Sequence, residues 1–214
     1  MTVEHTSVDV ILREVDEFFM AEGPVHKTMR SLAMRLSQEG IDYALVGGMS
    51  LVLHGYRRET VDVDILLSKE GYRRFIETVV GRGYVPLFPG SRKAFRDAET
   101  GVGIDVLTEG EYPGDGKPKP VSFPSPSTAS TEIDGIRILN LEKVIELKLA
   151  SGMTAPHRLR DLADVQELIR LGPLGSEFSE RLDPYVRDKY LELWSAIARA
   201  DDVEGPGDTS SVEG

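Results

Sequence analysis

The stretch Leu45-Val-Gly-Gly-Met-Ser-Leu-Val-Leu-His-Gly55 is followed shortly afterwards by Thr60-Val-Asp-Val-Asp-Ile-Leu-Leu67. The apolar residues 43–46 predict a short buried strand, and the residues after the glycine pair predict a short helix. A strand that turns at Gly47 and Gly48 lets backbone N–H groups approach an anion closely. This stretch therefore predicts an anion-binding turn between a strand and a helix.

Two aspartates, Asp62 and Asp64, alternate with apolar residues in the predicted strand 61–67, so both carboxylates project from one face. Alternating acids are typical of the solvated face of an edge strand. Two carboxylates this close also repel each other unless a cation lies between them, and hard oxygen ligands select Mg²⁺ or Mn²⁺. If the strand that contains Asp105 pairs beside residues 61–67, a cluster of three carboxylates results, which can hold two metal ions.

This pattern resembles the nucleotidyltransferase superfamily with the polymerase-beta-like fold. That superfamily carries a Gly-Gly or Gly-Ser pair, an Asp-x-Asp or Asp-x-Glu pair after a short interval, and a later aspartate. The matching positions are Gly47, Gly48, Asp62, Asp64 and Asp105. Within the superfamily, the Leu-His-Gly run 53–55, Thr60 and the lysine-containing helical tail look most like the abortive-infection type IV toxin group. That group includes tRNA-modifying toxins.

The resemblance implies an α+β fold: an α/β core on a small mixed β-sheet with flanking helices, followed by a helical C-terminal part. It implies a metal-dependent enzyme that uses Mg²⁺ or Mn²⁺. Such an enzyme moves a nucleoside monophosphate from an NTP such as ATP to an acceptor hydroxyl and releases pyrophosphate. In this chain Gly47, Gly48 and Ser50 would hold the phosphates, Asp62 and Asp64 a metal ion, and Asp105 a second metal ion and the acceptor hydroxyl.

The segment 141–150 and the later Arg158–Asp164 are similar to the helical motif of the family that approaches the nucleotide. The resemblance implies that Lys148 contacts the triphosphate and that Asp161 orients Lys148 or groups on the base side. The pattern alone places Lys148 on the exposed side of an apolar helix, where a solvated lysine is the default. Ser50 is equally well explained by packing in the first turn of its helix.

Composition excludes several classes of protein. The chain has 214 residues, no cysteine and a formal net charge of −11, from 36 acidic and 25 basic residues. The absence of cysteine excludes disulfide frameworks and thiolate chemistry, and excess acid argues against non-specific coating of nucleic acid or anionic membrane. No signal peptide and no apolar run long enough to span a bilayer are visible, so we expect a cytoplasmic protein that does not bind membranes.

Four segments are predicted: N-terminal helices over 1–39, the nucleotidyltransferase core over 40–140, a helical part over 141–200 and a disordered acidic tail over 201–214. Ser68 is expected to cap a helix that runs to Arg82. Asp134-Gly135 predicts a β-hairpin turn, and residues 109–130, rich in Gly, Pro and Ser, predict a long surface loop.

Two alternatives to an active nucleotidyltransferase stay open. One is a catalytically silent protein of the same fold that binds a nucleotide or a partner, and the other is a glycosyltransferase, which also uses an Asp-x-Asp pair. The acceptor is equally open: a tRNA 3′ end, a protein hydroxyl and a small molecule such as an aminoglycoside are equivalent at a metal site. A toxin of this group would also have a cognate antitoxin as its partner.

Overall fold

The computed structural model describes residues 23–56, 58–172 and 174–203, with backbone only for the last three. Of the N-terminal helices predicted over 1–39, the part up to residue 22 lies outside the described residues. In the described ranges, no helix is both long enough and apolar enough to cross a membrane.

Seven strands form one mixed sheet in the spatial order β3-β4-β5-β2-β1-β7-β6. In chain order they are β1 Tyr43–Val46, β2 Asp62–Leu67, β3 Tyr84–Pro86, β4 Ala94–Asp97, β5 Gly103–Thr108, β6 Ser130–Ile133 and β7 Ile136–Leu139. Strand β2 pairs in parallel with β5 and antiparallel to β1. The predicted α+β fold with a mixed sheet is confirmed, and β2 lies near the middle of the sheet.

Seven α-helices are present in the described residues: α1 Pro24–Gln38, α2 Gly47–Leu53, α3 Lys69–Thr78, α4 Pro126–Ala129, α5 Leu141–Thr154, α6 Leu159–Leu171 and α7 Pro184–Val203. Two 3₁₀ segments, Pro156–Arg158 and Ser176–Arg181, lie between the last three helices. The predicted helix 159–171 is confirmed residue for residue.

The chain divides into two compact units. The first contains the described residues up to Tyr112 together with Ser122–Val144, and the second contains Pro113–Val121 and the described residues from Ile145 onward. The division falls within α5, after Val144, whereas the sequence predicted a boundary at residue 140.

The core of the first unit lies between α1, α3 and one face of the sheet. From α1 it takes residues at helical spacing, and from the strands it takes every second residue: Met29, Leu32, Ala33, Leu36, Val63, Ile65, Phe95 and Ile104 are all buried. The rings of Phe75 in α3 and Phe95 in β4 meet edge to face, with centroids 5.2 Å apart. Burying a side chain of this size contributes about 1.5–3 kcal/mol, so packing fixes this face of the sheet, and Asp62 and Asp64 project from the opposite face.

Several predicted boundaries are wrong by a few residues. Helix α3 begins at the Ser68 cap, whose Oγ accepts from the Gly71 N–H at 2.9 Å, but it ends at Thr78 rather than Arg82. The reason is that Val80 forms a β-bridge with Tyr84, which withdraws the last predicted turn from the helix. The predicted strand 61–67 begins one residue later, at Asp62, and Val61 before it is 74% exposed.

The structure also bears on the predicted hairpin turn and on the predicted surface loop. The hairpin turn is confirmed: Asp134 (φ 50°) and Gly135 (φ 75°) both adopt the left-handed conformation that a tight hairpin turn requires. The loop predicted over residues 109–130 is interrupted by α4, and β6 begins at Ser130.

The second unit contains most of the C-terminal helices. Asp183 caps the N-terminus of helix α7, because its Oδ1 accepts from the Tyr185 N–H at 2.9 Å. The helix continues through Val203, three residues into the segment predicted to be disordered. The remainder of that segment lies outside the described residues. Tyr190 of α7 is buried and donates from its hydroxyl to the Gly175 carbonyl at 3.0 Å, and burial raises the pKa of this phenol to about 12.

Candidate active site

The glycine turn is packed directly against the first unit's acidic residues. Strand β1 ends at Val46, whose register partner on β2 is Asp64, so Gly47 lies beside the Asp64 carboxylate. A Cβ on Gly47 would lie 2.6 Å from Asp64 Cγ and closer still to Oδ2. Gly47 also has φ 60°, a conformation that L-residues rarely adopt. Only glycine satisfies both conditions, and the backbone of the turn is therefore in contact with the carboxylate.

The second glycine is packed in the same way against a threonine. A Cβ on Gly48 would lie 2.6 Å from Thr60 Oγ1. The same hydroxyl donates to Asp62 Oδ1 at 3.0 Å. The Gly47–Gly48 turn and the pair Asp62–Asp64 are thus joined by two separate contacts.

The third predicted acid, Asp105, lies on the strand beside β2. Strands β2 and β5 run parallel with Asp64 opposite Asp105 and Asp62 opposite Gly103. Side chains at paired positions project from the same face, with the two strands about 4.8 Å apart. The pairing that the sequence required for a cluster of three acids is present. Asp62 and Asp64 are half-buried, and Asp105 is exposed.

These acids are suited by chemistry to a hard divalent cation, because carboxylate oxygens are the ligands that Mg²⁺ and Mn²⁺ prefer. Thr60 occupies one oxygen of Asp62, and the other oxygen has no hydrogen bond or ion pair within the described ranges. No three His, Asp or Glu side chains among the described residues are grouped so as to hold a metal ion. Asp62 and Asp64 are thus the right type of ligand for such a cation, and the site of two metal ions on three carboxylates stays a prediction.

Ser50 in α2 and His54, the residue that follows the helix, both make local packing contacts. Ser50 is fully buried, and its Oγ donates to the Gly47 carbonyl at 2.9 Å. A hydroxyl in this position closes the turn, and the contact of Ser50 with a phosphate stays a prediction. His54 forms a hydrogen bond of 2.8 Å with the Leu139 carbonyl on β7.

The predicted nucleotide contacts Lys148 and Asp161 belong to the second unit, where they are paired with each other. Lys148 Nζ on α5 lies 3.0 Å from Asp161 Oδ1 and 2.7 Å from Asp164 Oδ2, both on α6. Ser151 Oγ donates to the other oxygen of Asp161 at 2.6 Å. The Lys148 side chain is 11% exposed, so the solvated lysine that the pattern favoured is wrong. The ammonium is held in one place by two carboxylates.

The sequence analysis did not predict Asp164 and Ser151 as partners in the cluster around Lys148 and Asp161. It named Thr60 but not its hydrogen bond with Asp62. A signal for the first two exists in the spacing, since Asp164 follows Asp161 by three positions on α6 and Ser151 follows Lys148 by three on α5. Residues three apart share a helix face. For Thr60 the sequence offers only its place two residues before Asp62.

No protein-family model matches the chain. No curated protein matches it either. Solved structures do: a nucleotidyltransferase-like antigenic protein from Paracoccidioides brasiliensis is 16% identical, over 83% of this chain and 89% of that one, with a TM-score of 0.53. ANT(2″)-Ia, solved with adenylyl-2″-tobramycin, is 12% identical over 80% and 97%, with a TM-score of 0.46. JHP933 from Helicobacter pylori is 18% identical over 81% and 78%, with a TM-score of 0.43.

Of these three similarities, the first is the one on which the assignment of the fold is based. At this level of identity it concerns the fold alone, and it agrees with the mixed sheet and the flanking helices described above. The chain has the fold of a nucleotidyltransferase-like protein.

Proposed function

We propose that this chain is a nucleotidyltransferase, which moves a nucleoside monophosphate from an NTP to an acceptor hydroxyl. In this reaction the acceptor oxygen forms a bond to the α-phosphorus, the bond from that phosphorus to the bridging oxygen breaks, and pyrophosphate leaves. The observation that carries the proposal is the contact of the Gly47 turn with Asp64, on a strand whose neighbour places Asp105 opposite. Strands β2 and β5 thereby place two carboxylates on one face of the sheet, and the glycine turn is packed against one of them.

The residues of the first unit would divide the work as follows. The backbone N–H groups of Gly47 and Gly48 would bind phosphate oxygens. Asp62 and Asp64 would hold a divalent cation, and Asp105 would hold a second one and accept or orient the proton of the acceptor hydroxyl. When bound, such cations neutralise charge on the triphosphate and favour the deprotonated acceptor.

Lys148 would contribute its ammonium to the triphosphate, as the resemblance implies. The two carboxylates at 2.7 and 3.0 Å support a fixed position for this ammonium. Asp161 would act by orienting Lys148, since one of its oxygens accepts from Lys148 and the other from Ser151.

At the finer level, we propose that the chain belongs to the abortive-infection type IV toxin group, acts in the cytoplasm with Mg²⁺ or Mn²⁺, and has a cognate antitoxin. Its acceptor would be a tRNA 3′ end, a protein hydroxyl or a small molecule. The support is the Leu-His-Gly run 53–55 and Thr60, which precedes the aspartate pair as it does in that group.

The experiment is incubation with each of the four α-labelled NTPs, Mg²⁺ and a cell lysate, followed by separation of RNA, protein and small molecules. We expect label from one NTP in one of these fractions. Asp62→Asn should abolish the label, because the amide is a much poorer ligand for a divalent cation. The matched control is Asp42→Asn, which removes a carboxylate that pairs with Arg137 on the surface and should leave the label unchanged.

One observation favours the silent binding protein instead: no three acidic or histidine side chains of the described residues form a ready set of metal ligands. A silent protein would bind the Mg²⁺ complex of a nucleotide and yield no labelled product with any acceptor fraction. Nucleotide binding that is measurable by calorimetry, together with complete absence of transfer, would decide for this alternative.

A further inference from the structure

Thr60 contacts both parts of the candidate site at once. The residue is 8% exposed and lies just before β2. Its Oγ1 donates to Asp62 Oδ1 at 3.0 Å, and the side chain fills the space in which a Cβ of Gly48 would otherwise lie. A threonine has a stiff χ1, because its Cβ carries two heavy atoms. The position of this hydroxyl is therefore fixed by packing as well as by its hydrogen bond.

The hydrogen bond has a definite consequence for Asp62. A carboxylate has two oxygens, and rotation about its last torsion normally exchanges them freely. With Oδ1 held by Thr60, the group is confined to one orientation and Oδ2 is the oxygen left to meet a ligand. In many metal sites a carboxylate ligand is oriented in the same way, by a hydrogen bond from a second residue that does not itself bind the metal.

We propose that Thr60 is a positioning residue, which fixes the orientation in which Asp62 presents its carboxylate to a divalent cation. This inference rests on the proposed function and extends it to a residue with no contact to substrate. The packing of Thr60 on Gly48 adds a second effect, since it holds the turn of the site and the Asp62 carboxylate at a constant separation.

The test is the affinity of the whole chain for Mn²⁺ alone, measured by electron paramagnetic resonance without nucleotide. Thr60→Val keeps the shape of the side chain and removes the hydroxyl, and Thr60→Ser keeps the hydroxyl. Loss of a residue that supports a metal ligand lowers metal affinity about 10- to 100-fold. We expect a loss of this size for Thr60→Val, affinity close to wild type for Thr60→Ser, and melting temperatures that show all three proteins to be folded.

The outcomes separate the two levels of the proposal. Mn²⁺ affinity of a folded Thr60→Val protein equal to that of the wild type would overturn the role of Thr60 and leave the proposed function standing. A wild-type chain that binds no Mn²⁺ in the absence of nucleotide would also overturn the role of Thr60, whereas the proposed function is decided by the transfer of labelled nucleotide, in which the NTP phosphates can help to hold the cation. If Thr60→Val does not fold, Thr60→Ala removes the same hydroxyl with less bulk beside Gly48, and the same comparison with Thr60→Ser applies to it.

Discussion

At the scale of single residues, the glycine turn shows how one position satisfies backbone geometry and a site contact together. Gly47 needs its left-handed φ of 60° to turn from β1 into α2, and it needs the absence of a Cβ to accommodate Asp64. Either condition alone would favour glycine. Together they place the backbone of the turn in contact with Asp64, so a side chain at position 47 would displace the Asp64 carboxylate.

Replacement of Gly47 by alanine should therefore cost more than the backbone strain alone. A left-handed conformation costs an L-residue about 1–2 kcal/mol, and the clash with Asp64 adds to it. Gly40→Ala is the matched control, because Gly40 has φ 63° and its nearest neighbouring atom would be 4.0 Å away. Urea unfolding should show a clearly larger loss of stability for Gly47→Ala. Equal losses would contradict the close packing on Asp64.

A second residue-scale prediction concerns His26, which is buried in α1. Burial, and secondarily the charge of Arg30, lower the pKa of His26 below its ordinary value of 6.5. The unfolded chain therefore takes up a proton at a pH where the folded chain does not, and stability is lost as the pH falls below 6.5. In His26→Gln this contribution is absent. The free energy of unfolding, measured between about pH 7.5 and 5.5, should fall less steeply in the variant than in the wild type.

If the two proteins lose stability in parallel over that range, His26 is not the titrating group. Glutamine is chosen because it keeps a polar side chain of similar length in α1.

At the scale of elements, the positions of the strands were predicted better than the ends of the helices and the contacts of helix side chains. The alternation of Asp62 and Asp64 with apolar residues fixes a strand and its two faces, and Asp134-Gly135 fixes a hairpin, because each signal is local. The helix after Ser68 was predicted too long because its end depends on Val80 pairing with a later residue. The burial of Lys148 depends on carboxylates of the following helix, which a pattern along α5 does not contain.

The cluster of Lys148 with Asp161 and Asp164 yields the prediction at this scale. Lys148→Ala leaves two carboxylates that are 15% and 3% exposed without their cation. Breaking such a buried pair costs about 3–5 kcal/mol. Lys189→Ala, the matched control, removes a lysine of α7 that pairs with the exposed Glu192 and should cost less than about 1 kcal/mol. Similar losses in thermal unfolding for both variants would show that the cluster does not stabilise the second unit.

At the scale of the whole molecule, the fold could be predicted from the sequence and the activity could not. The resemblance carried by Gly47, Asp62, Asp64 and Asp105 implies a mixed sheet with flanking helices, and the sheet is of that kind. The net charge of −11 argues against non-specific coating of polyanions. Neither property selects an acceptor, because acceptor hydroxyls of RNA, protein and small molecules are chemically alike at a metal site. The activity therefore has to be tested with variants of the aspartates of the candidate site.

The most direct test counts both products of the reaction for Asp64→Asn. With an NTP labelled at the α- and γ-phosphates, the wild-type chain should release one pyrophosphate for each nucleotide attached to an acceptor. Asp64→Asn should do neither while it stays folded, and Asp42→Asn should match the wild type. Transfer of labelled nucleotide by the folded Asp64→Asn protein at the wild-type rate would contradict the assignment of this site.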